Sequence, residues 1–167
     1  MKETGPPLPT PNGETPNVRP RRLESSLYIF AAFIALLGLG DSIYLTVQHL
    51  TGAHVDCVAS ADCETVLGST YAAVGKVPLA AFGALAYFGV FSLATLAAFG
   101  HGWTRPLFLW LVLAMLGCTG WLLYIQAFVL RAFCDFCLLS AALTAILSAI
   151  VLAIFLMRKR AARSLPR

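Results

Sequence analysis

Four stretches of this sequence, residues 27–47, 77–99, 106–130 and 134–157, run apolar almost without interruption. A helix crosses the hydrocarbon of a bilayer with ~20 apolar residues, and each stretch reaches that length. Backbone N–H and C=O groups find no water in lipid, so a spanning run pairs them within itself, as a helix does. The chain is 59% hydrophobic and 12% charged over 167 residues, which excludes a water-soluble globule and suits one membrane domain. The first stretch is too long for the core of a signal peptide and lacks a convincing small-residue cleavage site, so it reads as a retained helix.

Four crossings bring both ends of the chain to one side. Residues 1–20 hold six of the nine prolines and few apolar side chains, a composition that buries no core. Arg19, Arg21 and Arg22 stand at the mouth of the first helix, and Arg158, Lys159, Arg160, Arg163 and Arg167 follow the last. With Lys2 and Arg105, ten of the twelve cations fall on the side of the termini, leaving Lys76 and Arg131 opposite. The positive-inside rule makes the terminal side the cytoplasm. The expected organisation is a disordered cytoplasmic tail over 1–24, a four-helix transmembrane domain over 25–157 and a basic cytoplasmic tail over 158–167, in the inner (cell) membrane. The net charge of +4 is then an orientation signal and implies no nucleic acid. Attraction to anionic lipid is its second reading.

This orientation makes the loop over 48–76 and the short turn over 131–133 extracytoplasmic. The predicted fold is thus an all-α integral membrane protein, a four-transmembrane-helix bundle with a long extracytoplasmic loop carrying a half-helix between the first two spanning helices. Cys57 and Cys63 lie in the polar part of that loop, and Cys134 and Cys137 form a C-x-x-C at the start of the last apolar run. Four of the five cysteines therefore share the oxidising face, where disulfides persist. Cys118 lies mid-span and reads as a packing residue. A helix N-terminus offers unpaired N–H groups and a partial positive charge, both favouring a thiolate, so Cys134 is the expected acidic sulfur, with Asp135 opposing the shift. The plain structural readings are a pair of buried core cysteines and a disulfide that staples a loop.

Within the loop, Asp62 is placed to cap a short helix from Cys63 to a stop near Gly68. Val66, Leu67, Tyr71, Ala72 and Val74 give that segment an apolar side to lie on the membrane surface as a lid. Ionisable groups inside a span are costly and mark functional positions by default. Asp41 is such a group, roughly 9 Å below the outer end of the first helix at ~1.5 Å per residue, with Tyr44 and Gln48 following on its face. Gln126 lies near the depth of Cys134 and suits either a bound ligand's carbonyl or bundle packing. Gly83, Gly89, Gly117 and Gly120 read as close helix contacts.

The cysteine order, with Ser69 six residues beyond Cys63, Ser42-Ile43-Tyr44-Leu45-Thr46, Gly75-Lys76-Val77-Pro78 and Cys134-Asp135-Phe136-Cys137, resembles the bacterial vitamin K epoxide reductase homologues. The resemblance covers about residue 42 to the end of the fourth helix. It implies a four-helix bundle around a quinone, menaquinone or ubiquinone, with electrons shuttled inward from a thioredoxin-like (DsbA-like) extracytoplasmic protein. Residue by residue, it implies that Cys57 meets the partner, Cys63 exchanges with Cys134, and Cys137 faces the quinone in a pocket expected to include Ser69, Phe82 and Gln126. Animal members carry a tyrosine and an asparagine where this chain has Ala141 and Leu79, which argues against epoxide reduction. Some bacterial members carry a fused thioredoxin-like domain, and the partner expected here is a separate protein.

The function expected is a quinone-dependent thiol oxidoreductase supporting disulfide formation in extracytoplasmic proteins. A DsbA-type donor sits near roughly −120 mV and each ~30 mV uphill costs about 1.4 kcal/mol, so a low-potential nicotinamide acceptor does not serve. A four-cysteine metal site or a heavy-metal carrier would use the same sulfurs, although no thiol pair lies deep in the bilayer or on the cytoplasmic side to receive an ion; no metal ligands are assigned. A helical scaffold without catalysis is the remaining alternative.

Overall fold

The computed structural model describes residues 18–52, 63–69, 72–74 and 77–163. Helix α1 (Val18–Thr51) is followed by a short α2 (Cys63–Leu67) and a minimal antiparallel ladder of β1 (Ala73–Val74) with β2 (Val77–Pro78), pairing Ala73 with Pro78 and Val74 with Val77. Then come α3 (Leu79–Ala98), α4 (Thr104–Tyr124) prolonged by a π-helical turn (Ile125–Leu130), and α5 (Asp135–Arg163). Four segments are long and apolar enough to cross a membrane: Arg22–Thr51, Leu79–Ala98, Thr104–Leu130 and Asp135–Arg160. The expected four-helix membrane fold with a half-helix in its first connection is the fold observed.

The helices extend beyond the expected boundaries. α1 is described from Val18 onward, with Pro20 near its start, where its missing N–H needs no partner. α5 continues past Met157 to Arg163, where Arg160 and Arg163 complement the negative end of the helix dipole.

α1 packs against α3 and α5, and α4 closes the ring against the same two helices. Their shared core includes Tyr28, Ala31 and Ala35 of α1, Tyr87, Val90 and Ala94 of α3, Phe108 and Val112 of α4, and Leu147 and Ile150 of α5. The outer surface carries Phe33, Leu85, Trp110, Trp121 and Phe155, as expected where the solvent is lipid. Gly38 brings α1 onto the ring of Tyr87: a Cβ there would overlap the ring carbons. The Tyr87 hydroxyl in turn donates to the Ser140 carbonyl at 2.9 Å and shares hydrogen bonds with the hydroxyls of Ser140 at 2.9 Å and Thr144 at 3.1 Å, tying α3 to α5.

Two of the four glycines act as expected. A Cβ at Gly83 would meet Ser42 Oγ at 3.1 Å, and one at Gly89 would meet Leu111 at 3.0 Å. Gly117 and Gly120 have nothing within 4 Å of that position, and Cys118 between them is exposed. The packing role expected for these three is corrected, since no helix among the described residues covers that face of α4. At the opposite end from the C-x-x-C, Glu24 accepts a hydrogen bond from Arg158 Nε at 2.9 Å and lies 3.9 Å from Arg105 Nη2. One carboxylate thereby links α1, α4 and α5.

Candidate active site

Cys134 occupies the residue before α5, and the first turn forms over it, Leu138 N–H donating to its carbonyl at 3.0 Å. Its sulfur is fully buried in a small apolar cluster with Leu45, Cys63, Val66 and Ala132. α2 supplies Cys63 and Val66 to this cluster, with Leu67 packed against it, so the expected lid lies over the end of the bundle. It sits as a plug in the end of the bundle, held by the burial of Val66. The Ser69 hydroxyl closes the last turn of α2 by donating to the Val66 carbonyl at 2.7 Å. Cys57, Asp62 and Tyr71 lie outside the described residues.

Cys63 is disulfide-bonded, whereas Cys134 and Cys137 are free thiols. The Cys63 and Cys134 sulfurs stand 3.5 Å apart. A thiolate placed against a disulfide sulfur at that separation is arranged for thiol–disulfide exchange, whose rate depends on access and on the thiolate fraction. Cys134 has that fraction: its pKa is lowered to about 7 by a hydrogen bond from the Cys137 thiol, helped by the backbone N–H groups of Cys137 and Phe136, against burial and the charge of Asp135. The acidity expected from the helix N-terminus is present, and its largest cause is the neighbouring thiol. A disulfide-bonded sulfur is no thiolate ligand, which removes Cys63 from a four-cysteine metal site in this state.

Beneath the plug lies a cavity of about 150 Å³, the volume in which an apolar site holds one benzene-sized ring. Its wall is largely hydrocarbon, and among its polar side chains are Asp41 and Ser42 from α1, Gln126 from the π turn, and Cys137 and Ser140 from α5. The π turn ends at Arg131, whose left-handed φ of 50° turns the chain toward Cys134, and Ala132 N–H donates back to the Gln126 carbonyl at 3.2 Å. Such turns recur at functional sites, and here Gln126 is only 4% exposed. Its Oε1 and both oxygens of Asp41 are buried without a hydrogen-bond partner among the described residues.

Ser69 and Gln126 both line this cavity. Phe82 does not: it is 47% exposed on the outer side of α3, and the neighbouring Gly83 reaches the wall instead. Tyr44 and Gln48, expected on the face of Asp41, are directed away from the cavity; Gln48 Nε2 donates to the Tyr44 hydroxyl at 3.1 Å, and the Tyr44 ring packs on Phe136 with centroids 5.3 Å apart. Leu79 and Ala141 line the cavity and present hydrocarbon to it. Ser140 carries no signal in the sequence beyond following Cys137 by three residues, which puts it on the same helix face.

A family model described as the vitamin K epoxide reductase family matches residues 29–152.

Proposed function

The chain belongs to the vitamin K epoxide reductase family, whose members are membrane oxidoreductases of the thiol–disulfide class using quinone, and on that premise we propose that it oxidises a thioredoxin-like, DsbA-like protein outside the cytoplasm and delivers the electrons to a membrane quinone, menaquinone or ubiquinone. The observation that carries the reading is the 3.5 Å approach of the disulfide-bonded Cys63 to the free thiol of Cys134.

The proposed sequence begins with Cys57 and Cys63 joined. A partner thiolate attacks Cys57 and releases Cys63 as thiolate; the partner's second thiol then frees Cys57 and leaves the partner oxidised. Cys63 attacks Cys134 of a closed Cys134–Cys137 disulfide, expelling Cys137. Cys57 attacks Cys63, re-forming the loop disulfide and expelling Cys134. A sulfur of pKa about 7 leaves readily, which favours this inward transfer. The product, a bonded Cys63 beside a reduced Cys134 and Cys137, is the state of these three residues in the structure.

A quinone, when bound, accepts two electrons and two protons. The cavity has the volume of one six-membered ring, and the unpartnered Oε1 of Gln126 would accept a hydrogen bond from a hydroxyl of the reduced quinone. Cys137 reaches the cavity wall while Cys134 is sealed in the cluster above it, so Cys137 faces the ring and Cys134 faces the loop. Ser69 lines the same wall with its proton engaged by Val66.

The experiment is quinone reduction by the reconstituted protein, driven by a reduced thioredoxin-like protein or by a small dithiol. Wild type should turn over with both reductants; Cys63→Ser should lose the protein-driven reaction and keep the dithiol-driven one; Cys134→Ser should lose both. No reduction of several quinones by a wild type with intact cysteines overturns the reading. In the dithiol form, the ultraviolet absorbance of the Cys134 thiolate should decline as pH falls through about 7, because the proton returns to the sulfur below its pKa. Cys137→Ala removes the largest stabilising hydrogen bond, so that midpoint should move upward.

A further inference from the structure

Asp41 is the feature the exchange chemistry leaves unused. Both of its carboxylate oxygens are buried without a hydrogen-bond partner among the described residues, within a segment long and apolar enough to span a membrane. A group that merely glued helices together would be bonded to a neighbour, because an unpaired carboxylate in such surroundings is strongly penalised. Here the neighbour is a cavity. The titratable side chains lining it are Asp41 and His49 from α1 and Cys137 from α5; α3 contributes Leu79, Ala80 and Gly83, and the π turn contributes the uncharged Gln126. Asp41 and Cys137 both line this one small cavity, so a proton leaving the thiol has a carboxylate in the same space to receive it.

We propose that Asp41 is the proton carrier of this cavity, taking the proton of the Cys137 thiol as the Cys134–Cys137 disulfide closes and passing it to the quinone oxygen that becomes a hydroxyl. The inference rests on the proposed function and names a residue that function does not require. The balance is complete: the Cys134 thiolate and the Cys137 thiol form the S–S bond and give up two electrons and one proton, the quinone takes both electrons, and its second proton comes from water. Gln126 complements the carrier from the other wall. Its unpartnered Oε1 would accept from the second hydroxyl.

The test compares full-length wild type with Asp41→Asn and Asp41→Glu in lipid nanodiscs. Asparagine keeps the shape without the titration, and glutamate returns the carboxyl. General acid–base groups typically contribute ~10²–10⁴-fold, so Asp41→Asn should lose at least ~10²-fold in kcat with KM within a few-fold, and Asp41→Glu should recover part of it. Independently of any quinone, the pH profile of Cys137 alkylation by a small neutral reagent, read by peptide mass, should shift in Asp41→Asn. An Asp41→Asn protein with wild-type kcat and an unshifted Cys137 profile, beside a wild type that reduces quinone, overturns the role of Asp41 alone. A raised KM at unchanged kcat also overturns it, since that marks a binding group. A wild type that reduces no quinone overturns the proposed function instead.

Discussion

The two ends of the bundle treat their polar groups in opposite ways. At the basic end, Glu24 is engaged by Arg158 and faces Arg105, the Ser25 hydroxyl donates to the Ala98 carbonyl at 3.2 Å, and Tyr28 packs edge-on against Phe108 with centroids 5.4 Å apart. At the thiol end, Asp41 and Gln126 keep buried oxygens without partners around a cavity. Each unsatisfied buried group costs about 1–3 kcal/mol, so the thiol end gives up stability that the basic end retains. Unpaired groups of this kind cluster where a ligand will pair them. The contrast assigns anchoring to one half of the molecule and chemistry to the other, and it can be broken by substitution.

The largest effect is expected from Gln126→Leu, which removes an unsatisfied oxygen from the cavity wall while nearly preserving volume. Turnover should fall by ~10²-fold or more, yet the thermal midpoint should hold or rise, because the lost oxygen was a liability to the empty fold. Parallel loss of stability and turnover would show that the thiol end is anchored by this residue and would dissolve the distinction between the halves.

What the sequence reveals divides along the same line. Spanning helices are set by length and apolarity, which are local, and all four are legible, as is the half-helix from Cys63 to Leu67. The meeting of Cys63 with Cys134 and Cys137 at one end of the bundle is legible too, because the two crossings between them bring both connections to the same end. The cavity is harder, since it depends on which side of a helix faces inward, and the spans are apolar on nearly all sides. Sequence reasoning therefore puts Phe82 on the wall that Gly83 occupies, and gives Gly117, Cys118 and Gly120 neighbours that the described helices do not supply. The Tyr87–Ser140–Thr144 contacts escape it although Tyr87 is a lone hydroxyl within an apolar run, a signal of the same kind that singles out Asp41. Glu24 escapes it because its partner Arg158 is separated from it by 134 positions.

Gly38→Ala tests the anchoring side at intermediate size. The added methyl would overlap the Tyr87 ring, and the ring cannot withdraw without breaking its hydrogen bonds to Ser140 and Thr144. Overpacking of this kind typically costs about 1–3 kcal/mol, so the midpoint should fall by ~2–10 °C at about 2–4 °C per kcal/mol. Gly117→Ala, with open space around the new methyl, should stay within ~0.5 kcal/mol of wild type. Equal losses in the two variants would point to a general intolerance of α1 and α4 toward Cβ atoms and would remove Tyr87 as the cause.

The smallest effect belongs to Glu24→Gln. The carboxylate reaches Arg158 across the bundle, but the Arg158 side chain is 42% exposed against 18% for Glu24, and pairs so open to solvent contribute only ~0–1 kcal/mol. Glutamine keeps the hydrogen-bond acceptor and deletes the charge, so the expected change is about 0.5 kcal/mol, or roughly 1–2 °C in midpoint. Salt should shrink the difference, because the Debye length falls from ~10 Å at 0.1 M to ~3 Å at 1 M. Turnover per folded molecule should be unchanged, since Glu24 is not among the residues lining the cavity. A Glu24→Gln protein that loses turnover while keeping its midpoint would reveal the two ends as one mechanical unit, in which the ion cluster joining α1, α4 and α5 sets the distance between Asp41, Gln126 and Cys137 on those same three helices.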